Sequence, residues 1–249
     1  MRAKVRDYYS RTLERHGPTP LGVDWPNAVS QHLRFVQLLK IVDSERPFSL
    51  NDFGCGYGAL LEFLAMRHGE AAVTYRGIDI SSAMIAAARQ RWAKHKDATF
   101  AVGSRCGRVA DYSLASGIFN VRLGHPIAEW EAYLESILED LHASSRLGFA
   151  VNFMLPHDAR PTEDGLYRSE PRRWIEFCEK LGGSVELLGK YGLREFTLLI
   201  RTKPPTAARR KTGSRKLSRR SPRSAVGRER AIRRPDNQGG GGRRPARAP

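Results

Sequence analysis

The chain is most constrained by the run Gly54-Cys55-Gly56-Tyr57-Gly58, which closes a short strand begun by Phe48, Leu50 and Phe53 and opens directly into a helix carrying Leu60, Leu61, Phe63 and Leu64. Glycines at alternate positions let the backbone turn sharply and leave bare main chain at a helix N-terminus, where a ligand can approach closely. Asp79 comes at the end of the next strand, Val73 to Ile80. A carboxylate there can accept hydrogen bonds from both hydroxyls of a ribose. The two elements together describe a nucleoside site at the carboxyl edge of a parallel sheet.

The rest of the chain supports that architecture. Asp7 to Arg15 reads as a short charged helix closed by Gly17-Pro18. Asn27 caps a second helix whose apolar face is given by Leu33, Val36 and Lys40 with Leu38, Leu39 and Val42 adjacent, and Pro47 ends it. Gly69 stops the helix after the glycine turn, and Ser81 caps an Ala-rich helix reaching Trp92. Further strands are expected over Thr99–Val102, Tyr112–Ala115 and Phe149–Met154. Between the last two lies a helix from Ile127 to His142, on which Trp130, Leu134, Leu138 and Leu141 recur at helical spacing. Pro171 opens a helix carrying Trp174, Phe177 and Leu181, stopped by Gly182-Gly183, and Val185–Leu188 with Glu195–Ile200 form an antiparallel pair. Strands alternating with helices require a mostly parallel sheet with right-handed crossovers, to which the closing hairpin adds one antiparallel strand.

Charge divides the chain. Residues 204–249 hold 15 Lys+Arg against 2 Asp+Glu, while residues 1–203 hold 27 against 24. The basic segment is Arg, Ser, Pro and Gly with almost no apolar side chains, so a disordered tail is expected there. It suits non-specific contact with nucleic acid through counterion release, without base stacking, because it has no aromatic residue. The organisation read from this is a helical extension over 1–47, a ligand-binding domain over 48–203 and the tail. No secretory signal, membrane-spanning run, disulfide framework or zinc-ligand spacing is visible. Cys55, Cys106 and Cys178 are scattered, and a cytoplasmic location is expected.

Gly54, Gly56 and Ala59 also satisfy a dinucleotide fingerprint, so a nicotinamide-dependent oxidoreductase is one alternative. Three features favour S-adenosylmethionine. Asp52, two residues before the first glycine, can receive the ammonium of an amino acid and would repel a pyrophosphate. The helices before the strand are the second feature, and the closing hairpin is the third. At this point the chain resembles a known family. Leu50-Asn51-Asp52-Phe53-Gly54-Cys55-Gly56-Tyr57-Gly58 is similar to the first motif of class I S-adenosylmethionine-dependent methyltransferases, and Tyr75-Arg76-Gly77-Ile78-Asp79-Ile80-Ser81 to their second. The resemblance, over roughly 48–202, implies a Rossmann-like, doubly wound α/β fold with seven strands, the last antiparallel.

It also implies site residues. Asp79 takes the ribose and Ile80 lies beside the adenine. Gly103-Ser104-Arg105 touches the adenine, with Ser104 departing from the acid many members carry. Ser116-Gly117 faces the sulfonium. The cofactor set is thus Asp52, Gly54, Cys55, Gly56, Gly58, Asp79, Ile80, Ser104 and Ser116. The family's Asn-Pro-Pro-aromatic sequence is absent, and Ala115-Ser116-Gly117-Ile118-Phe119-Asn120 in its place argues for a small acceptor. The other acceptor class is RNA, with the tail as an anchor.

Asn120 and His125, just past the fourth strand, and Tyr191, in the last hairpin turn, are acceptor-pocket candidates, although His125-Pro126 also reads as a helix start. Tyr8 and Tyr9 suit either a lid or helix packing. Trp130 and Trp174 read as core. His157 with Asp158 has no further metal ligands spaced to complete a site. The N-terminal helices and the segment Leu155–Ser169 are expected to shape the acceptor pocket. No general base is identifiable, and Cys55 reads as a small residue that fits its turn rather than a nucleophile.

Overall fold

The computed structural model describes residues 1–43, 46–68, 73–156 and 165–202. The chain opens with α1 (Arg2–His16), a 3-10 turn at Pro20–Val23, α2 (Ala28–Leu38) and a second 3-10 turn at Leu39–Ile41. The middle part is β1 (Phe48–Phe53), α3 (Ala59–His68), β2 (Val73–Asp79), α4 (Ser82–Arg91), β3 (Ala98–Val102) and β4 (Ala110–Ala115). The last part is α5 (Ile127–Ala143), β5 (Ser145–Met154), α6 (Pro171–Lys180), β6 (Ser184–Leu188) and β7 (Glu195–Arg201).

The seven strands lie in the order β3-β2-β1-β4-β5-β7-β6. β1 to β5 pair in parallel, while β7 runs antiparallel to both β5 and β6. The mostly parallel sheet follows the helix–strand alternation, and its Rossmann-like seven-stranded arrangement is the one the family resemblance implies. The order reverses between β1 and β4, and such a switch point opens a crevice beyond the carboxyl ends of the strands.

Each sheet face has its own core. On one, Leu50, Tyr75, Tyr112 and Leu114 pack with Phe35 and Leu38 of α2, Leu60 and Leu64 of α3 and Ile85 of α4. On the other, Phe149, Val151 and Phe153 pack with Trp130, Leu134 and Leu138 of α5 and Trp174 of α6. Trp130 and Trp174 are fully buried, as core residues should be. The Phe153 ring stacks between Phe119 at 4.7 Å and Trp174 at 5.0 Å.

Helix starts obey the cap chemistry read from the sequence. Asn27 Oδ1 accepts from the Ser30 N–H at 2.9 Å, and Ser81 Oγ accepts from the Met84 N–H at 3.2 Å, each satisfying an orphan donor of a first turn. The buried face of α2 differs from expectation. It is Gln31, Arg34, Phe35, Gln37 and Leu38, while Leu33 and Val36 are half-buried and Lys40 is exposed. The cause is an ion pair with Glu195 that draws Arg34 inward. The helix also ends at Leu38, well before Pro47, and α1 starts five residues ahead of Asp7. β4 and β5 begin earlier than Tyr112 and Phe149, because Ala110 already pairs with Ser145 and Tyr112 with Gly148. The expected helix stop at Gly69, the His157-Asp158 pair, residues 157–164 of the Leu155–Ser169 segment and the tail 204–249 lie outside the described residues.

Candidate active site

β1 delivers the chain to Gly54 at φ +78°, a conformation side chains rarely adopt, and a Cβ there would lie 2.2 Å from Ile118 Cγ2. The turn is hooked to the neighbouring strand, since the Gly54 and Cys55 N–H groups both donate to the Ile78 carbonyl, at 2.7 and 3.0 Å. β2 ends on Asp79, whose Oδ2 accepts from the Gly56 N–H at 3.0 Å and whose Oδ1 accepts from the Ser81 N–H at 2.8 Å. The glycine turn and the acid are therefore one hydrogen-bonded unit. A carboxylate offers about four acceptor sites, so this one can still receive a further donor. Burial pushes the Asp79 pKa up, against the lowering effect of the backbone donors.

Asp52, on β1, is 3% exposed and accepts a short hydrogen bond from the Tyr75 hydroxyl. Burial lifts its pKa to about 7. The Tyr75 bond lowers it and the charge of Asp79 adds to the rise. Burial also drives the Cys55 thiol well up, so this sulfur is not an ionised nucleophile.

These groups face a cavity between the sheet edge and the N-terminal segment, at the place where open α/β sheets bind their ligands. Asp52, Gly54, Cys55, Gly56, Asp79, Ile80 and Ser116 line it, together with Met84 and Gly103. Ser116 Oγ is buried there without a hydrogen-bond partner. Val5, Tyr9, Val23, Trp25, Phe35, Ile118 and Tyr133 make the rest of the lining largely apolar and aromatic, with Gln31 a polar member.

Some expected residues lie off this wall. Gly58 packs against Trp92, whose Nε1 donates to its carbonyl at 3.2 Å, and a Cβ at Gly58 would lie 2.7 Å from that nitrogen. Ser104 is replaced on the wall by its neighbour Gly103. Asn120 is buried elsewhere, its main-chain carbonyl accepting from the Tyr167 N–H at 2.6 Å. Gly117, at φ +74°, turns the chain there, Phe119 is fully buried in the core, and neither Asn120 nor His125 is among the residues lining the cavity. Tyr191 is engaged with Thr197 Oγ1 at 3.1 Å in the final hairpin. Tyr9 lines the cavity, as a covering residue would. Among the described residues no group of three or more His, Cys, Asp or Glu is placed to hold a metal.

Trp25 is the main residue that sequence reasoning missed. Its ring crowds Gly117 so closely that a Cβ there would fall 2.1 Å from Cζ2, and the Arg34 guanidinium lies 3.8 Å over its ring. Arg34 Nε donates to Glu195 Oε2 at 2.7 Å, with a second short contact from Nη2 to Oε1. Asn152 Nδ2 donates to the same Oε2 at 3.0 Å, and the Gly117 N–H donates to Asn152 Oδ1 at 2.8 Å. The chain Trp25–Arg34–Glu195–Asn152–Gly117 thus closes on itself beside the cavity. Its only sequence signal was a charged pair in otherwise apolar elements.

Comparison with known proteins agrees with this geometry. Residues 51–143 match the family model described as a methyltransferase domain. The Mycobacterium tuberculosis protein named "Putative methyltransferase Rv1506c" is 45% identical over 165 residues, spanning 66% of this chain and 98% of that protein. The chain belongs to the class I S-adenosylmethionine-dependent methyltransferases. Among solved structures, the magnesium protoporphyrin IX methyltransferase of Synechocystis PCC 6803, with bound S-adenosylhomocysteine, superposes with a TM-score of 0.58 at 17% identity, covering 82% of this methyltransferase and 100% of that chain. Human N-acetylserotonin methyltransferase, in complex with S-adenosylmethionine, gives a TM-score of 0.52 at 15% identity, covering 81% and 56%. Both have the same fold as this methyltransferase.

Proposed function

We propose that the cavity binds S-adenosylmethionine at its glycine end and a small-molecule acceptor at its aromatic end. The supporting observation is that the Gly54–Gly56 turn, the Asp79 carboxylate and the aromatic chamber share a single cavity at the β1–β4 switch point. The residues fit the donor. Asp79 has acceptor capacity in reserve for ribose hydroxyls, Ile80 offers an apolar surface for the adenine, and the unpartnered Ser116 Oγ needs a hydrogen-bond partner. Asp52 would take the amino acid's ammonium on the oxygen that Tyr75 leaves free, and the nearby positive charge would hold its carboxylate ionised at neutral pH.

The bound donor supplies a methyl group on a positively charged sulfur. Charge is dispersed as the methyl transfers, so the protein's task is to hold the two partners in line and keep water out. Tyr9, Trp25, Phe35 and Tyr133 provide that exclusion. The chamber's apolar wall suits an acceptor with an apolar or aromatic body. No helix among the described residues is long and apolar enough to cross a membrane. Incubating the enzyme and isotope-labelled methyl donor with a cell extract, then resolving products by mass spectrometry, tests the reading. Label in a low-mass compound is the expected result. Label confined to RNA or protein would overturn the acceptor class.

A further inference from the structure

The first helix and the turn after it pack as one unit. A Cβ on Gly22 would fall 2.0 Å from the Gly17 carbonyl oxygen and 3.8 Å from Leu13 Cα, so the 3-10 turn at Pro20–Val23 lies directly on the end of α1. Tyr8 of α1 also hydrogen-bonds to Asp24, just past that turn. From this unit Val5, Tyr9, Val23 and Trp25 reach the cavity. The helix itself is highly charged, and its buried residues are Val5 and Thr12. Apolar burial therefore contributes little to seating α1 on the domain, which gives its polar contacts weight.

One such contact is made by Ser10. Its Oγ lies 2.7 Å from the Arg6 carbonyl oxygen and 2.8 Å from Ser81 Oγ. A carbonyl can only accept, so the single Ser10 proton goes to Arg6 and the Ser81 hydroxyl donates to Ser10. Ser81 Oγ accepts in turn from the Met84 N–H at 3.2 Å, capping α4, while the Ser81 N–H donates to Asp79 Oδ1 at 2.8 Å. Ser81 is fully buried, so a hydroxyl left without its acceptor there meets no water in exchange. One residue thus joins α1, the start of α4 and the acid of the glycine-turn unit. Asp79 and Met84 line the cavity, and so does Tyr9, the neighbour of Ser10. Burial, then the charges of Asp24, Tyr8 and Asp79, push the Tyr9 pKa up, so the phenol keeps its proton.

We propose that Ser10 is a positioning residue for donor binding: by seating α1 on the cap of α4, it holds Tyr9 against the nucleoside that Asp79 receives. This rests on the donor reading given above, and Tyr9 is the group that makes the contact. Donor affinity and the docking of α1 then report on one equilibrium, because a ligand that binds better with α1 seated favours the seated state.

The test is titration calorimetry of the full-length chain with S-adenosylhomocysteine, alongside hydrogen exchange of the α1 amides with and without that compound. The parent should bind it, and binding should slow exchange across residues 5–11. Ser10→Ala leaves the Ser81 hydroxyl without its acceptor and should weaken affinity about tenfold, with most of that protection lost. Ser10→Thr keeps an oxygen that can still bond the carbonyl one turn back, and should restore both readouts. In a Tyr9→Ala background, Ser10→Ala should cost less than about twofold more, because the group it positions is gone. A parent that does not bind S-adenosylhomocysteine would overturn the donor reading and this proposal with it. Binding by the parent with unchanged affinity in Ser10→Ala would overturn this proposal alone. Equal losses from Ser10→Ala with and without Tyr9 would do the same, since Ser10 would then act on stability at large rather than through Tyr9.

Discussion

Replacing Arg34 by Met is the sharpest test of how the chamber wall is held. The Arg34 and Glu195 side chains are 7% and 5% exposed, so the variant leaves a carboxylate in the interior with only Asn152 Nδ2 donating to it. Breaking a buried ion pair from one side costs about 3–5 kcal/mol, and loss of the stack on Trp25 adds about 1 kcal/mol. For a domain of this size each kcal/mol lowers the melting temperature by about 2–4 °C, so a drop on the order of 10 °C is expected. Glu195→Leu should cost a similar amount, since it strands the guanidinium. The double variant Arg34→Met/Glu195→Leu strands only Asn152 Nδ2, about 1–3 kcal/mol, and should therefore be more stable than either single variant. Urea unfolding of the four proteins measures the cycle. Additivity of the two single effects to within about 0.5 kcal/mol would show that the pair is not coupled and would refute the reasoning.

Asp79→Ala should weaken S-adenosylhomocysteine binding at least about 100-fold in titration calorimetry, because two charge-assisted hydrogen bonds are worth about 1.5–3 kcal/mol each. The fold should persist by circular dichroism. The raised Asp52 pKa means that, between its ordinary value of 3.8 and about 7, the folded state keeps a proton the unfolded chain has released, so this group's contribution to stability falls as pH rises through that window. Asp52→Asn should thus gain melting temperature relative to the parent at pH 8 and lose that gain near pH 4, a comparison spanning about the whole titration. Tyr75→Phe removes a bond that lowers this pKa, so the upper end of the window should move alkaline in the same melts. Gly117→Ala should displace Trp25, detectable as greater acrylamide quenching of tryptophan fluorescence, while changing S-adenosylhomocysteine affinity far less than Asp79→Ala.

The glycine-turn part of the cavity was legible because it is local. Strand, glycine turn and helix are contiguous, and Asp79 sits one strand later on the neighbouring rung, so spacing alone put it at the same edge. The caps at Asn27 and Ser81 and the final hairpin were readable for the same reason. The aromatic part was not. Arg34 and Glu195 are separated by 161 residues, and a periodicity reading assigns a charged residue to the solvent side, which is why the face of α2 was drawn through Leu33 and Val36. Trp25 lies in a turn-rich stretch with no period at all. Asn120 and His125 were judged by nearness to the end of β4, but the cavity lining contributed by that loop stops at Ile118, just past the positive φ of Gly117.

The matched family region begins at residue 51, yet six residues of the cavity's lining, Val5, Tyr9, Val23, Trp25, Gln31 and Phe35, come from the segment before it. On the proposed reading, acceptor choice resides in an upstream piece, while the donor machinery stays in the shared scaffold. A graft of that piece between relatives would exchange clientele without rebuilding the sheet, provided that the acid at 195 and the amide at 152 travel with it as the matching half of the joint.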